Sequence, residues 1–579
     1  MASKLSMAIV CCALVAACGP SKPAQPPKTP KTPPTKALKP KPAGKRAAAP
    51  SAVGGSCRAK QPFAQGNCQA GLRCLPFPGG YCFTFCAPDG KCPSGGRCAP
   101  SPKAGEWCWA ACKRDAECRA KLGYRCHPDW KVCSLPKFLV PKLRQCTAEA
   151  PPRRTFAKAV AQQLTRSKEA GFYQHEPAVA LGKDGSLTIA YINAAERLGG
   201  KNALGLARIG PDGKTVANAA HAASFGRENH FDPWLAASRD GTLHLVWLGF
   251  DGGRAPEKNM QIGYARSSDN GATFKLVGAA HDAAADCTKN RVGCMDKPMI
   301  ISGVYKKNRR KRALYAFYYS AVTDGLRVTR SLDGGKSWSR SVAAGAGAYG
   351  SALVDRRGIV HVVYADARRA KVRIDRLGDA NTGVFYVRSD DGGATFSKPQ
   401  LASAPSDPVP FFFSNPQVVV ARDGKTIHVV YPTGLGDGRW DIALTTSRDG
   451  GKTFPAKLRV KVNDDASCAN HRVPQAVVDR RGRIHIAWYE DRDGKGNVAY
   501  ARCRDGSRGR AVRCGKSERI NDAPFAAYSL VRHSPRWIGE YFGLVLDEKR
   551  RRIHAVWTQP VLDRGVASAR IFHAMAPLR

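Results

Sequence analysis

The chain repeats one eight-residue pattern four times, first as Ser267-Ser268-Asp269-Asn270-Gly271-Ala272-Thr273-Phe274 (SSDNGATF). The pattern returns at residues 331–338 (SLDGGKSW), 389–396 (SDDGGATF) and 447–454 (SRDGGKTF), so successive copies start 64, 58 and 58 residues apart. A period this long exceeds a single hairpin, and it indicates a supersecondary unit of several strands that occurs repeatedly.

Each copy has the composition of a tight turn. In the first copy, the Asp269 carboxylate can accept backbone N–H bonds of its own turn, and Gly271 can adopt a positive φ without a Cβ clash. The Ser and Thr hydroxyls can add local hydrogen bonds, and the closing aromatic residue can pack between sheets. We therefore interpret the pattern as a structural turn that carries no chemistry.

A second pattern runs from about Glu176 to the end of the chain. It consists of a short apolar strand, a turn with glycine or charged residues, and an alternating strand that ends near an aromatic residue. Seven copies follow one another: Pro177–Ile192, Pro233–Leu248, Pro298–Tyr319, Gly350–Tyr364, Pro416–Tyr431, Pro474–Tyr489 and Tyr541–Trp557. No comparable series has helical periodicity, so the sequence predicts an all-β domain.

The repeated turn resembles the Asp-box (BNR) repeat of sialidase-like β-propellers. The resemblance implies a propeller of four-stranded blades, and seven copies of the second pattern predict seven blades. Sialidases have six blades, and a six-bladed alternative would make one copy a decorated loop. The last copy supplies only three strands, so we expect Arg154–Thr165 to provide the missing outer strand and close the ring.

Residues 1–17 predict a lipoprotein signal peptide. Lys4 precedes the apolar run Met7–Ala17, which is too short to span a bilayer. The run ends before Cys18 in a sequence that resembles a bacterial lipobox, which implies lipid attachment to that thiol at the outer membrane or cell surface. An ordinary secretory signal is the alternative. Residues 18–55 are rich in Pro, Lys and Ala and predict a disordered tether.

Residues 56–147 predict a small disulfide-rich domain, followed by the propeller at 148–579. Thirteen cysteines lie between Cys57 and Cys146, and in an exported chain this density favours disulfides over zinc. Because thirteen is an odd number, one of these cysteines must find its disulfide partner elsewhere in the chain. The hypothesis for the remaining cysteines is two local pairs and one bridge between domains: Cys287 with Cys294, Cys503 with Cys514, and Cys146 with Cys468.

The residues just before the first strand of each copy vary, and on the propeller interpretation they surround the channel mouth where ligands of such folds bind. A solvated rim without a ligand is the alternative. The sequence leaves open whether the acids and histidines bind a divalent cation, and no other cofactor is expected. The candidate rim residues are His175, Glu176, His230, Asp232, Asp296 with Lys297, Tyr349, Asn415, His471, Arg472, Glu540 and Tyr541.

The resemblance to sialidases implies three arginines for the substrate carboxylate, a tyrosine nucleophile paired with a glutamate, and an acidic proton donor. His175 occupies the place of the first arginine, and imidazole replaces a guanidinium poorly. If the protein were a hydrolase, Tyr541 and Glu540 would match the nucleophile pair. The candidate carboxylate ligands would be Arg472 and Arg536, with Arg254 or Arg439 as a third.

The formal net charge of +46 and the pI of about 9.9 indicate an anionic partner. Basic residues fill two predicted hairpin turns, Lys306–Arg312 and Lys549–Arg552, although a generally basic proteome is an equally plain explanation. Nothing resembles a motif that reads nucleic-acid sequence. The sequence thus predicts an exported, lipid-anchored monomer whose propeller binds an anionic glycan or other polyanion without catalysis, with an exo-sialidase or related glycoside hydrolase as the alternative.

Overall fold

The computed structural model describes residues 51–58, 66–70, 72–75, 77–85, 92, 96–100, 106–128, 130–135, 162–163, 173–194, 202–219, 225–252, 258–281, 294–323, 325–347, 349–366, 383–405, 407, 409, 415–434, 440–465, 469–492, 495–506, 509–526, 538–563 and 566–578. These residues belong to two compact units, a small one within 51–135 and a large one within 162–578. No described helix is long and apolar enough to cross a membrane.

The small unit consists of short strands and two 3-10 helices, Asp115–Glu117 and Ala120–Leu122. Four strands form one sheet in the order β1-β2-β4-β3, and β5 pairs with β6. The strands are β1 Arg73–Leu75, β2 Tyr81–Phe85, β3 Gly96–Pro100, β4 Glu106–Ala110, β5 Arg125–Cys126 and β6 Cys133–Ser134.

Disulfides hold this unit together, as the cysteine density predicts. Two groups of four cysteines pair in the same crossed order, the first with the third and the second with the fourth. Cys98 is also disulfide-bonded. The described pairs are Cys57–Cys74, Cys68–Cys82, Cys92–Cys108, Cys112–Cys126 and Cys118–Cys133. Because bonded sulfurs offer no thiolate, these cysteines cannot bind zinc.

The large unit is built from antiparallel meanders. The strands of the first three are β8 Tyr173–Leu181, β9 Leu187–Ala194, β10 Asn202–Ile209 and β11 Thr215–Ala219; β12 Asn229–Ala237, β13 Leu243–Asp251, β14 Lys258–Ser267 and β15 Lys275–Ala279; β16 Met295–Tyr305, β17 Asn308–Ser320, β18 Gly325–Ser331 and β19 Val342–Gly345.

Four further meanders complete the unit, and a 3-10 helix at Ala456–Leu458 follows β26. Their strands are β20 Gly350–Val354, β21 Val360–Asp366, β22 Gly383–Ser389 and β23 Gln400–Leu401; β24 Gln417–Val420, β25 Ile427–Gly434, β26 Trp440–Ser447 and β27 Val460–Lys461; β28 Asn470–Val478, β29 Arg483–Arg492, β30 Lys495–Arg504, β31 Arg513–Cys514, β32 Glu518–Arg519 and β33 Phe525–Ala526; β34 Gly543–Asp547, β35 Arg552–Asp563 and β36 Val566–Pro577.

The first strands of consecutive sheets contact one another in a cycle, from β8 through β12, β16, β20, β24 and β28 to β34 and back to β8. Separate apolar clusters fill the spaces between neighbouring sheets. Fully buried tryptophans on second strands, such as Trp247, Trp488 and Trp557, anchor three of them. Each sheet therefore buries both faces, which is the arrangement of a β-propeller.

The two ends of the large unit are joined, as the sequence predicts. The short strand β7, Gln162–Gln163, pairs antiparallel with β36 and completes the last meander. Strand β36 also pairs in parallel with β8 at one position, Ala569 with Tyr173. The rest of the predicted closing segment, from residue 154, lies outside the described residues.

The repeated turns have the hydrogen bonds expected from their composition. In the first copy the backbone N–H of Gly271 donates to Ser267 Oγ over 2.8 Å, and Thr273 donates to the Asp269 carboxylate through N–H (3.0 Å) and hydroxyl (2.6 Å). The other three copies have the same bonds. Partial burial opposes the effect, but the Ser267 and Thr273 hydrogen bonds lower the pKa of Asp269 to about 2.

The predicted pair Cys503 and Cys514 forms a disulfide in the sixth sheet. Cys294 is disulfide-bonded as well. Cys18, Cys146, Cys287 and Cys468 lie outside the described residues, so the lipid attachment, the pairing of Cys287 with Cys294 and the bridge between domains stay predictions.

Candidate functional site

The first strands begin with an unusual backbone conformation that recurs from sheet to sheet. Five residues that precede a proline have positive φ: Glu176 (57°), Asp232 (50°), Lys297 (50°), Asn415 (29°) and Val473 (51°). In four of these sheets the register with the second strand shifts at the same place, which marks a β-bulge. Each such residue costs on the order of 1–3 kcal/mol, and such strain concentrates at functional positions.

The bulges and the segment before β34 bring charged side chains from different sheets together. Lys297 Nζ lies 2.5 Å from Glu540 Oε2 and 3.6 Å from Asp232 Oδ1. These side chains are only 13%, 10% and 6% exposed, so the two carboxylates replace much of the water that the ammonium loses on burial. We call the following residues the inner cluster: Glu176, Asp232, Asp296, Lys297, Glu540 and Tyr541.

Aromatic rings surround the ammonium group. Lys297 Nζ lies 5.4 Å from the ring centre of Tyr541 and 5.7 Å from that of Tyr349, within the range of cation–π attraction. Trp234 meets the Tyr541 ring edge-on at 5.6 Å. The Tyr541 hydroxyl is buried and has no hydrogen-bond partner among the described residues. Because such a group costs about 1–3 kcal/mol, it is a candidate to bind a ligand.

Burial and neighbouring charges shift the pKa values of two carboxyl groups in the inner cluster. Burial, with the neighbouring Asp232 carboxylate, raises the pKa of Glu176 well above its ordinary value. Burial also raises the pKa of Asp296 to about 7, where Lys297 opposes the shift and Asp232 adds to it. The Asp232 side chain thus contributes to the raised pKa of both residues. Glu176 therefore holds its proton to a higher pH than an ordinary glutamate does.

Lys297 and Tyr541 respond in different ways to the same surroundings. Burial by itself would lower the pKa of Lys297, but Asp232 and Glu540 outweigh it and raise that pKa well above its ordinary value. Burial and the Asp232 carboxylate raise the pKa of Tyr541 well above its usual value of 10. Lys297 is thus an ammonium and Tyr541 a neutral phenol.

Close packing positions the segment that carries Glu540 and Tyr541. Gly539 has a φ of 78°, and a Cβ at this residue would lie 2.1 Å from Glu176 Cγ. Only glycine fits, because both the conformation and the contact exclude a side chain. Asn415 Nδ2 donates a hydrogen bond to the backbone oxygen of Glu540. The predicted rim residue Asn415 therefore supports the cluster from the fifth sheet.

Two of the predicted rim histidines are both buried but have different neighbours. His175 Nδ1 is 3.9 Å from Glu176 Oε1, so His175 borders the inner cluster. His230 packs near Trp247, and its Nδ1 lies 3.2 Å from the backbone oxygen of Asn202. Burial lowers the pKa of His230, which keeps its ring neutral. His230 is therefore a core residue.

His471 and Arg472 interact with residues of the fifth and sixth sheets. Trp488 Nε1 donates to His471 Nδ1 over 2.8 Å. The Arg472 guanidinium lies 5.6 Å from the ring centre of Trp440. Burial lowers the pKa of Arg472, and Asp491 opposes this shift. The other candidate arginines, Arg254, Arg439 and Arg536, lie outside the described residues.

Near His471, three side chains have the spacing of a metal site. The ligand atoms of Asp441, Asp465 and His471 lie within 4.8 Å of one another. However, Trp488 donates to His471 Nδ1, so Nε2 must carry the proton, and it donates to Asp465 over 3.2 Å. Asn463 Nδ2 donates to both aspartates, at 2.8 and 2.6 Å. With no imidazole lone pair available, the group is a hydrogen-bonded network and not a metal centre.

Sequence reasoning placed Lys297 beside Asp296 but did not predict its ion pairs, and it missed Trp234. A comparison of the residues that precede proline in the repeats would have singled out Lys297, because it aligns with Glu176 and Asp232. Nothing in the sequence distinguishes Trp234 from the other apolar strand residues.

No known protein family matches the chain. No curated protein matches it either. Similar solved structures include a protein of unknown function from Dyadobacter fermentans (15% identity, TM-score 0.41, covering 72% of this chain and 98% of that one). A polysaccharide lyase (12%, TM-score 0.42, 70% and 90%) and a Hadza microbial sialidase (16%, TM-score 0.39, 68% and 73%) are also similar. The fold is assigned here from the strand pairing and not from these distant similarities.

Proposed function

We propose that the protein binds a glycan at the inner cluster. The convergence of strained, ionisable residues from three sheets around the buried, unpartnered hydroxyl of Tyr541 carries the proposal. Carboxyl groups and the phenol can hydrogen-bond to sugar hydroxyls. Trp234 and Tyr349 add the aromatic surface that is common in small-molecule sites.

The charge of the inner cluster favours a neutral sugar over the anionic glycan expected from the overall composition. Four carboxyl groups surround one ammonium, and that ammonium already pairs with Asp232 and Glu540. A ligand carboxylate would approach like charges at low dielectric, which is unfavourable. We therefore separate the glycan site from any polyanion-binding surface.

Binding without catalysis by Tyr541 fits the geometry best. A nucleophilic tyrosine must lose its proton, but burial and Asp232 raise its pKa, and Glu540 pairs with Lys297. Hydrolysis is the second candidate because one observation favours it. Burial and the neighbouring Asp232 raise the pKa of Glu176, and a carboxyl group with a raised pKa is what a glycosidase uses as its general acid.

Calorimetric titration with a panel of neutral and acidic oligosaccharides tests the binding proposal. We expect a neutral sugar to bind, and Tyr541→Phe to weaken binding about tenfold because it removes one hydrogen bond. Tyr305→Phe is the matched control, because Tyr305 is a buried tyrosine at the other end of the same sheet as Lys297. The proposal fails if no glycan binds or if Tyr541→Phe binds as tightly as wild type.

Fluorogenic glycosides, including a sialoside, test hydrolysis. Turnover that disappears in Glu176→Gln and survives in Tyr541→Phe would establish the second candidate. Turnover that disappears in Tyr541→Phe would instead restore the tyrosine as nucleophile. No turnover in wild type leaves binding as the function.

We also propose that the seven meanders are the blades of one sialidase-like propeller and that the repeated turns are Asp boxes. The cyclic contacts of the first strands support this count. The chain would be exported and lipid-anchored as a monomer through Cys18 at the outer membrane or cell surface. Mass spectrometry of the mature N-terminus should find a lipid-modified Cys18, and a free thiol there would refute the anchor.

A further inference from the structure

Seven hairpins lie at the end of the sheets opposite the inner cluster. The chain enters each first strand at the cluster end and turns into the antiparallel second strand at the other end. We call the turns and their flanking residues the hairpin rim: residues 182–186, 238–242, 306–312, 355–359, 421–426, 479–483 and 547–552.

The exposed charge of the hairpin rim is strongly positive. Its three exposed acids are Asp184, Asp240 and Asp423. Its thirteen exposed basic residues are Lys183, Arg239, Lys307, Arg309, Arg310, Lys311, Arg356, Arg422, Lys425, Arg480, Arg481, Lys549 and Arg551. The exposed tips of the hairpin rim therefore carry far more basic than acidic side chains.

Three other aspartates of the rim are buried beneath the tips, and their carboxylates already form hydrogen bonds and ion pairs. Asp355, Asp479 and Asp547 are 9%, 3% and 2% exposed. Each accepts backbone N–H bonds within its own turn and pairs with an arginine of the same hairpin. These carboxylates shape the turns, and they leave the exposed tips with little acidic charge.

Hydrogen bonds connect neighbouring hairpins into a continuous surface. Four arginines donate to a backbone oxygen of the next hairpin, and the backbone N–H of Arg480 donates to Glu548 over 2.7 Å. The arginine bonds are Arg309 to Arg356 (3.3 Å), Arg357 to Gly424, Arg422 to Arg480 (2.9 Å) and Arg550 to Asp184 (2.5 Å). The rim is thus continuous from the third hairpin through the seventh to the first.

We propose that the hairpin rim docks on a membrane surface rich in anionic phospholipid headgroups. Its charges stand on separate tips, and an extended surface can contact many of them at the same time. Lysine and arginine donors suit phosphate, and basic residues near an anionic leaflet each add to adsorption. The proposal depends on the rim alone and is independent of the glycan site.

The tips fit a lipid surface better than a linear polyanion. None of the seven described turns carries an aromatic residue on which a base could stack. A single polysaccharide or nucleic-acid strand would contact only the tips along its path. The predicted lipid on Cys18 would hold the chain near the same surface.

Vesicle co-sedimentation tests the proposal with the full chain carrying Cys18→Ser, so that an attached lipid cannot contribute. We expect binding to vesicles that contain phosphatidylglycerol, loss of binding with pure phosphatidylcholine, and weakening as salt rises. Replacing Lys307, Arg309, Arg310 and Lys311 together by glutamine should reduce the affinity by about tenfold or more.

The matched control removes the same charge from the small unit, by glutamine at the exposed residues Lys113, Arg114, Lys121 and Lys131. We expect this control to change vesicle affinity by less than about threefold. Equal losses of vesicle affinity in the two variants would mean that net charge alone drives binding. That result would overturn the proposal. Absence of vesicle binding would overturn it as well, as would binding to heparin or duplex DNA under conditions where vesicles stay unbound.

Discussion

The two ends of the large unit use charged residues in opposite ways. At the inner cluster, Lys297, Asp232 and Glu540 come from three sheets and are nearly buried, and Lys297 forms ion pairs with both acids. At the hairpin rim, residues such as Arg310 and Lys311 are exposed on a single hairpin. Burial makes each charge at the cluster depend on its partners, whereas water and salt screen each charge at the rim. The cluster should therefore control stability and specificity, and the rim long-range attraction.

The largest expected effect is that of Lys297→Met. This substitution leaves Asp232 and Glu540 as buried carboxylates without their cation, which should lower the free energy of unfolding by about 3–5 kcal/mol. Urea unfolding at neutral pH measures it. Lys311→Met at the exposed rim should change the value by less than about 0.5 kcal/mol. A loss at Lys297 no larger than at Lys311 would contradict the contrast between the two ends.

Two glycines allow a tightly packed turn to be compared with an open turn of the rim. Gly335 of a repeated turn has a φ of 88°, and a Cβ there would lie 2.0 Å from Tyr264 Cε1. Gly482 of the rim has a φ of 76° with nothing within 4 Å. We expect Gly335→Ala to lower the free energy of unfolding by about 3 kcal/mol and Gly482→Ala by about 1 kcal/mol. Thermal unfolding that ranks them in the reverse order would disprove the packing argument.

Buried histidines between the two ends should make stability depend on pH. Burial lowers the pKa of His428 to about 4, below the 6.5 of an unfolded chain. The unfolded state therefore binds the proton first, so this stability is complete above pH 6.5 and is lost as the pH falls toward 4. Between pH 7 and 5 the loss should be about 2 kcal/mol, and His428→Gln should remove that part of the slope. An unchanged slope in urea titrations at the two pH values would be the contrary result.

The smallest effect on stability is expected for Arg310→Gln. Because Arg310 is exposed, the free energy of unfolding should change by less than about 0.5 kcal/mol. The same variant should still weaken binding to anionic vesicles by about twofold or more. A stability loss above about 1.5 kcal/mol would mean that the rim is a packed structural element.

Much of the fold could be predicted because its signals are local. The Ser, Asp and Gly of each repeated turn form bonds within eight residues, so composition alone predicted the geometry around Asp269. Strand alternation likewise predicted the second strands, and the three-stranded last copy predicted the closing role of the segment that contains Gln162. The functional sites were harder to predict from the sequence, because His230 and Tyr541 look equivalent as residues before a strand. Both are buried, but only Tyr541 lies beside Lys297, and the packing of neighbouring sheets decides this.

The sequence by itself determined the repeat, the all-β class, the disulfide-rich unit and the positive charge, since each depends on residue type and short-range spacing. The sequence already placed basic residues on two hairpin turns, but only the tertiary structure decided which turns share one surface. It brought Lys297 to carboxylates that are far away in the chain, and it placed the arginines of successive hairpins next to one another. The physical reason is that ion pairing and desolvation depend on distance in space, and only closure of the sheets into a cycle sets those distances.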